Sequence, residues 1–258
     1  MIRGLYTSAI GMASQMKRLD TASNNIANGD TPGFKRDIVV TQAFSDVLMR
    51  RVRDYELNGF NTTNNLGPSS LGLTINTIHR DFSAGNLTPT DRPLDLALDG
   101  SGFFQVAFIN DAGDAIQKYT RGGSFTLTAD GVLVTLSGQA VLNTSGNPIT
   151  LPPGNISINP QGIISVNDEV VDALNLVTFE DLTTLRPFGD NLYTTTPESV
   201  QLQYAGQLLQ GYIETSNVNI VREMVEMITI SRAYEVNSRM VAMVDQTLGQ
   251  AVNDIARR

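Results

Sequence analysis

The strongest constraint on this 258-residue chain is a heptad pattern near each of its ends. In the first, apolar residues recur at alternating steps of three and four, and only Ser23 interrupts the series. Such steps return to one side of an α-helix, so the pattern predicts a helix over residues 2–27 that packs against other helices. We predict a subunit interface at its apolar positions, which are Ile2, Leu5, Ala9, Met12, Met16, Leu19 and Ile26.

The second pattern predicts a helix of about 37 residues that begins near residue 220. An apolar or aromatic residue recurs there at every seventh position up to residue 255, which is the repeat of a packed helix. Asn217 or Asn219 is the expected N-cap, and a second apolar stripe at Val221, Val225 and Ile228 runs beside the first. The predicted interface positions of this helix are Ile220, Met224, Met227, Tyr234, Val241, Leu248, Val252 and Ile255.

Residues 94–200 have the pattern of an all-β domain. Short apolar runs are separated by Gly-containing turns such as Asp130-Gly131 and Ser137-Gly138, and turns of this kind connect neighbouring strands. We expect a sandwich or barrel-like domain that folds without the terminal helices. The predicted strands cover residues 94–98, 102–109, 124–128, 132–136, 155–158, 163–166 and 174–179.

The stretch between the first helix and this domain is predicted to be a linker. A weak helical pattern covers residues 37–55, an Asn-, Thr-, Gly- and Ser-rich stretch at 58–73 predicts a loop, and alternation at 73–78 predicts a short strand. The sequence therefore predicts an α+β fold. Its parts are a stem helix and turn at 1–36, a linker at 37–93, a central β domain at 94–200 and a second stem helix at 201–258.

The two long helices need partners outside the β domain, because that domain already has apolar strands of its own to bury. Two arrangements satisfy this requirement. The helices pair with each other as a coiled-coil-like stem, or they pack against helices of neighbouring subunits.

Composition argues against catalysis and against nucleic-acid binding. The chain has no cysteine and one histidine, His79, which excludes thiolate metal sites and Cys nucleophiles and leaves no multi-His site. The sequence contains neither a Gly-x-Ser-x-Gly elbow nor a phosphate-binding Gly-x-x-x-x-Gly-Lys-Ser/Thr loop. A formal net charge of −8 does not suit a phosphate backbone. We expect no enzyme activity, no cofactor, no metal and no nucleic-acid partner.

The segment after the first helix is predicted to redirect the chain. Asn28-Gly29 favours a left-handed C-cap, and Thr31-Pro32-Gly33 places Pro and Gly at the central positions of a type II turn. No apolar run approaches the roughly 20 residues of a membrane span, and the first residues lack the features of a cleaved secretory signal. The chain is expected either to stay in the cytosol or to leave it by a route that needs no such signal.

Two sequence motifs carry a family resemblance. The first is residues 22–28 followed by 31–36, and the second is residues 211–220 with 230–238. They resemble the two ends of the bacterial flagellar rod and hook proteins, and residues 92–98 and 102–106 resemble the start of that family's middle domain. The residues that carry the resemblance are Asn24, Asn25, Asn28, Thr31, Pro32, Gly33, Phe34, Lys35, Gly211, Glu214, Ser216, Asn217, Asn219, Arg232, Ala233, Tyr234 and Asn237.

The resemblance implies a structural subunit of the flagellar basal body. Such a chain leaves the cell unfolded through the flagellar type III export apparatus and stacks helically into a drive shaft that transmits torque from motor to hook. Its terminal helices pair into the inner tube, and its β domain lies outside them. The implied partners are other copies of itself, other rod subunits, hook or hook-cap proteins, the export apparatus, and outer-membrane and peptidoglycan ring proteins.

Within the family, the 211–219 stretch and the overall length favour the distal part of the rod. A proximal rod paralogue is the alternative, and a hook subunit fits less well because it usually has a longer middle region. A secreted β-rich binding module is a more remote alternative, since it would share the Thr- and Asn-rich middle but would not need heptads at both ends.

Overall fold

The computed structural model describes residues 2–44, 47–51, 64–69, 72–110 and 114–256. The chain divides into two compact units. Unit 1 comprises Met1–Asn24, Asp37–His79 and Ile220–Arg258, and unit 2 comprises Asn25–Arg36 and Arg80–Asn219. A helix at each end and a β-rich middle confirm the predicted α+β class, whereas the coiled-coil-like pairing stays a prediction. Within the described ranges, no helix is long and apolar enough to cross a membrane.

Both predicted helices are present, as α1 (Ile2–Ala27) and α2 (Ile220–Ala256). The predicted left-handed cap at the end of α1 is wrong, because neither Asn28 nor Gly29 has a positive φ. Instead, the backbone amides of Asn28 and Gly29 donate to the carbonyls of Asn25 and Ile26, three residues earlier. These bonds make a tight 3₁₀-type turn that satisfies the last carbonyls of the helix.

The most shielded side of α1 is small and polar rather than apolar. Its shielded residues are Ser8, Ser14, Thr21, Ala22 and Asn25. The predicted interface positions are more open, with Leu5, Met12, Leu19 and Ile26 half-buried and Ala9 and Met16 exposed. The side chain of Ile2 lies outside the described part of the chain. The apolar seam of α1 is therefore only partly covered within the single chain.

The shielded side of α2 follows the predicted seven-residue repeat, but with different intervening positions. Met227, Tyr234, Val241 and Leu248 are half-buried as the repeat requires, whereas Met224 and Val252 are exposed. The other residues on this shielded side, which lie between those of the repeat, are Glu223, Ile230, Asn237, Val244 and Ala251. The side chain of Ile255 lies outside the described residues.

Two contacts join α1 and α2 within unit 1. A Cβ atom at Gly11 would lie 3.1 Å from Nδ2 of Asn237, and Nη2 of Arg18 lies 3.2 Å from Oε1 of Glu226. The contacts pair position 11 with 237 and position 18 with 226, so α1 and α2 run antiparallel. A glycine at position 11 lets the Asn237 amide come this close to the α1 backbone.

The other part of unit 1 is made of strands, so the predicted helical pattern at 37–55 is wrong. The strands are β1 (Asp37–Ala43), β2 (Val47–Arg51), β3 (Asn64–Ser69) and β4 (Leu73–Arg80). β1 pairs with β4, and β2 pairs antiparallel with β3, which replaces part of the predicted loop. The run Ile38-Val-Val-Thr41 explains the difference, because β-branched side chains favour strands over helices. The strand predicted at 73–78 is confirmed, and residues 52–63 lie outside the described ranges.

Unit 2 is built from short strands and one 3₁₀ helix at Leu182–Thr184. Its strands are β5 (Leu87–Pro89), β6 (Leu96–Asp99), β7 (Gly102–Ile109), β8 (Ala115–Thr120), β9 (Phe125–Leu127), β10 (Leu133–Thr135), β11 (Ala140–Val141), β12 (Ile156–Ile158), β13 (Ile163–Val166), β14 (Glu169–Ala173), β15 (Leu176–Phe179), β16 (Arg186–Gly189), β17 (Leu192–Thr194), β18 (Gln201–Gln203), β19 (Gln207–Gln210) and β20 (Tyr212–Glu214).

A nine-stranded sheet among the described residues forms the body of unit 2. Its order is β16-β17-β8-β7-β11-β10-β9, and β15 pairs with both β7 and β18. A three-stranded sheet β12-β13-β14 and the antiparallel pairs β6–β19 and β5–β20 complete the unit. The pairs with β19 and β20 connect residues near 90 to residues near 210, so unit 2 extends beyond the predicted 94–200.

Two hydrophobic clusters lie in unit 2, one on each face of β7. Successive side chains of a strand point to opposite faces, so Phe104 and Val106 join the larger, mainly aliphatic cluster while Phe103 joins the other. In the second cluster, Phe103 packs edge-on against Phe179 and Tyr193, with ring centroids 5.8 and 5.5 Å apart. Both faces of the central sheet are thus packed.

A core truncation tests this packing. Leu133 is fully buried in the larger cluster, whereas Leu136 is 69% exposed. We expect Leu133→Ala to lower the free energy of unfolding of unit 2 by about 2–5 kcal/mol, because it leaves a cavity. Leu136→Ala, the matched control, changes it by less than about 0.5 kcal/mol. Urea titration followed by the β-sheet circular dichroism signal measures both, and equal effects would contradict this assignment of the core.

Candidate functional site

A buried carboxylate, Glu214, lies between two cations within unit 2. Oε1 of Glu214 accepts hydrogen bonds from Nζ of Lys35 at 2.6 Å and from the backbone amide of Gly85 at 2.8 Å. Oε2 accepts one from Nε of Arg121 at 2.5 Å. The three charged side chains are only 2–4% exposed. Charge-assisted bonds of this length between desolvated groups are among the strongest polar contacts in a protein.

Arg121 extends this cluster into the β sheet. Its guanidinium donates to the backbone carbonyls of Leu98 in β6, Gly100 in the connection that follows, and Gly102 at the start of β7. Lys35 likewise uses a second partner, donating from Nζ to the carbonyl of Ser83 at 2.7 Å. One carboxylate faces two cations, and these carbonyl oxygens supply the remaining acceptors that buried donors need.

The predicted turn packs directly on the cluster. Gly33 has a φ of +69°, and the Phe34 amide donates to the Thr31 carbonyl, as the predicted type II turn requires. The Gly33 amide donates to the backbone carbonyl of Glu214 at 2.8 Å. A Cβ at position 33 would lie 2.5 Å from the carbonyl carbon and oxygen of Arg121. Glycine is therefore required here both by conformation and by space.

Asn217, three residues after Glu214, also connects the segment after the turn to the residues near position 82. Its Oδ1 accepts from the backbone amide of Arg36 at 2.8 Å, and its Nδ2 donates to the carbonyls of Asp81 and Ser83 at 2.8 and 3.3 Å. The Asp81 amide in turn donates to the Arg36 carbonyl. The Asn217 side chain thus belongs to the junction, by which we mean the place where residues 33–36, 81–85 and 214–217 meet. Of the two predicted N-cap positions, Asn219 therefore remains, directly before α2.

The other predicted motif residues fall into two groups. Asn28 accepts a bond from the Thr31 hydroxyl, Pro32 accepts one from Asn191, and Gly211 has a φ of +78°. Ser216 accepts from the Val218 amide. These residues, with Asn25, lie in unit 2 near the junction, whereas Asn24, Arg232, Ala233, Tyr234 and Asn237 lie on the helices of unit 1.

Arg121 is the cluster residue that the sequence prediction missed. A signal was present, because residues 94–200 contain only three basic residues, Lys118, Arg121 and Arg186, against twelve acidic ones. A scarce cation followed by two glycines in such a domain is a candidate for a buried ion pair. The sequence gives no indication, however, of which carboxylate it meets.

The pKa of Glu214 follows from these contacts. Burial by itself raises the pKa of the carboxyl, but Arg121 and then Lys35 outweigh burial and hold the pKa below its usual value of 4.5. Burial also lowers the pKa of the Lys35 ammonium, and the bond to Glu214 only partly opposes it. Protonation of Glu214 therefore weakens the cluster.

Three segments of the chain match known protein families. Residues 5–35 match the family described as Flagella basal body rod protein, and residues 97–166 match Flagellar hook protein FlgE/F/G D1 domain. Residues 209–254 match Flagellar basal body rod FlgEFG protein C-terminal. A flagellar basal-body rod protein FlgG from Buchnera aphidicola (subsp. Acyrthosiphon pisum) is 37% identical, over 96% of this chain and 98% of the relative.

The chain belongs to the flagellar basal-body rod protein family. FlgG from Bacillus subtilis is 35% identical, over 98% of this rod protein and 99% of the relative. The flagellar hook-basal body complex protein FlhO from the same organism is 29% identical over the full length of both. Lys35, Arg121 and Glu214 come one each from the three matched segments, so the buried cluster joins all three.

The buried cluster argues against the expectation that the β domain folds without residues 1–36 and 211–258. Lys35 and Phe34 are buried in unit 2, and so is Glu214. A chain without residues 1–36 and 211–258 would leave Arg121 buried with no carboxylate, and the free-energy penalty for such an uncompensated charge is large. Residues 25–36 and 201–219 are therefore part of the β unit.

Replacement of Gly33 tests the turn. We expect Gly33→Val to lower the free energy of unfolding of unit 2 by roughly 3 kcal/mol or more, since positive φ is strained and the side chain collides with the Arg121 backbone. Gly29→Ala is the control, because Gly29 has no positive φ. Urea titration measures stability, and counting rods in isolated basal bodies measures assembly. Normal stability and rods in Gly33→Val would remove any special role for the turn.

Acid titration tests the cluster. Because the pKa of Glu214 is lower in the folded than in the unfolded chain, its stabilisation is full above about pH 4.5 and lost as pH falls through the folded-state pKa. We expect Glu214→Gln to lower the free energy of unfolding by about 3–5 kcal/mol at neutral pH and to flatten its decline in acid.

The exposed Glu198 supplies the matched control. Glu198→Gln should leave both the stability and its acid dependence near those of the unaltered chain. A Glu214→Gln protein with the same acid dependence as Glu198→Gln would show that Glu214 does not supply this stabilisation.

Proposed function

We propose that this rod protein is a structural subunit of the distal rod, which polymerises helically through exposed faces of α1 and α2. Membership of the family makes it part of the basal body, exported through the flagellar apparatus. Relatives named FlgG at 35–37% identity support the distal position over a proximal paralogue. A structural rod subunit is not a class of enzyme.

One observation carries the proposal, namely an apolar stripe on α2 that faces away from the helix's shielded side. Its residues are all exposed, and Ile228, for example, is 55% exposed. Glu223 marks the shielded side of the helix, and Val221, the first residue of the stripe, lies two positions before it. Two positions correspond to about 200° around a helix of 3.6 residues per turn, so the stripe lies on the opposite side. The stripe residues are Val221, Val225, Ile228, Val236, Met240 and Met243.

Exposed apolar side chains repeated along one helix face indicate a contact with another molecule. α1 offers the complementary surface, because its own heptad seam is partly open while its shielded side is small and polar. Burial of apolar area stabilises by about 25 cal/mol per Å², so a stripe of six such residues contributes appreciably to subunit contact. A second copy of the chain supplies both surfaces and lets the contact repeat along a polymer.

The remaining expected partners follow from the family and belong to the same proposal. The two ends of a shaft made of this subunit must meet chains of other sequences, namely other rod subunits on one side and hook or hook-cap proteins on the other. Outer-membrane and peptidoglycan ring proteins would surround the assembled shaft. The export apparatus handles the chain before it folds.

An aspartate on the stripe tests the proposal. We expect Ile228→Asp to give folded chains that form no rods, because a charge buried in an apolar interface costs several kcal/mol. Ser238→Asp is the matched control, since Ser238 is exposed on the same helix but lies off the stripe. Motility and rod counts in isolated basal bodies measure assembly, and circular dichroism measures folding. Normal rods in Ile228→Asp would contradict the proposed interface.

A further inference from the structure

The methionines of this chain are confined to unit 1. The sequence has eight of them, and none occurs in residues 25–36 or 80–219, which form unit 2. The chain also has no cysteine. All the sulfur of the protein, and hence all of its readily oxidised side chains, therefore belongs to the unit that carries the helices.

Four of these methionines have exposed side chains on the two helices. Met16 of α1 and Met224, Met240 and Met243 of α2 are 43–53% exposed. Met16 belongs to the open seam of α1, Met240 and Met243 belong to the apolar stripe of α2, and Met224 borders that stripe. Met12 and Met227 are half-buried. Among the methionine side chains that the structure describes, the most accessible thioethers therefore lie on or beside the faces that other copies would cover.

Oxidation of an exposed thioether has a simple balance. Hydrogen peroxide transfers one oxygen atom to the methionine sulfur and leaves as water, so the sulfur is oxidised to a sulfoxide while the peroxide is reduced. The product is polar and carries a strong hydrogen-bond acceptor. Burying that acceptor in an apolar contact without a donor is unfavourable.

We propose that Met16, Met224, Met240 and Met243 form an oxidant-sensitive modification site that controls assembly. In the reduced state the four thioethers pack in the contact between copies, and as sulfoxides they keep the chain out of the polymer. The proposal rests on the assembly proposed above, since it requires these helix faces to be the subunit contact. It adds that peroxide acts on a free subunit but not on an assembled one.

The distribution of sulfur confines the effect of peroxide to unit 1. Unit 2 contains no methionine or cysteine, so peroxide leaves its buried charge cluster and its two hydrophobic clusters chemically unchanged. An oxidised subunit is thus a folded β unit with altered helix faces. Methionine sulfoxide reductases restore the thioether, which makes the block reversible.

The test uses the purified full-length chain with hydrogen peroxide as the oxidant. Mass spectrometry of peptides measures oxidation at each methionine, and sedimentation of polymer measures assembly. We expect the four exposed methionines to oxidise before Met12 and Met227, and the concentration needed for polymer to rise about tenfold for each buried sulfoxide. Treatment with methionine sulfoxide reductases A and B should restore assembly.

A matched control variant carries Met16→Leu, Met224→Leu, Met240→Leu and Met243→Leu. Leucine keeps the size and apolar character of methionine but offers no sulfur. Whatever concentration this variant needs to form polymer, peroxide should not change that concentration. Two paired variants, Met16→Leu with Met224→Leu and Met240→Leu with Met243→Leu, guard against a packing defect and should each lose part of the sensitivity.

The outcomes separate this proposal from the one on which it rests. Peroxide that blocks the natural chain, blocks the paired leucine variants in part and spares the fourfold leucine variant supports the modification site. Peroxide that affects all chains equally, or a fully oxidised chain that polymerises normally, overturns it while the assembly proposal stands. An untreated chain that forms no polymer at any concentration, whether or not it carries Ile228→Asp, overturns both.

Discussion

The buried carboxylate of Glu214 is the contact on which the organisation of this chain depends. It receives a lysine from the N-terminal turn and an arginine from the central sheet, and it lies itself near the start of the C-terminal region. Removing charges from water is unfavourable, so this arrangement forms only when all three segments arrive together with their carbonyl partners. The cluster therefore makes the β unit depend on residues nearly 180 positions apart in sequence, as the Lys35–Glu214 bond shows.

The same constraint explains why the terminal motifs contain these residue types. Gly33 is needed for a turn pressed against the Arg121 backbone, and Asn217 offers the acceptor and donors that bind Arg36 and Asp81. An amide side chain satisfies a donor and acceptors at once, which no apolar residue at this position could do. Gly33 and Asn217 thus act within the β unit, whereas residues 230–238 of the second motif lie on α2 in unit 1.

The helices differ from the β unit, because many of their apolar side chains make few contacts within the chain. The shielded side of α1 is small and polar, and a glycine there admits the side chain of Asn237. Met16 of α1 and a whole stripe of α2 remain exposed in the single chain, and the other large apolar residues of the α1 seam are only half-buried. A helix whose apolar surface is not consumed inside its own chain gains stability by packing with others. This is the physical basis for a subunit whose proposed final state is a polymer.

Sequence alone predicted the features that depend on local periodicity and turn chemistry. The limits of α1, the extent of α2 and the Pro32-Gly33 turn follow from spacing and from conformational preferences within a few residues. It failed where local signals compete, as in the β-branched run at 38–41, which a weak helical pattern obscured. It could not identify Arg121 as the partner of Glu214, or predict that residues 25–36 and 201–219 complete the β unit. Those assignments depend on which distant charges share a site closed to water, and only the tertiary structure decides that, because electrostatic pairing depends on distance in space and not on separation along the chain.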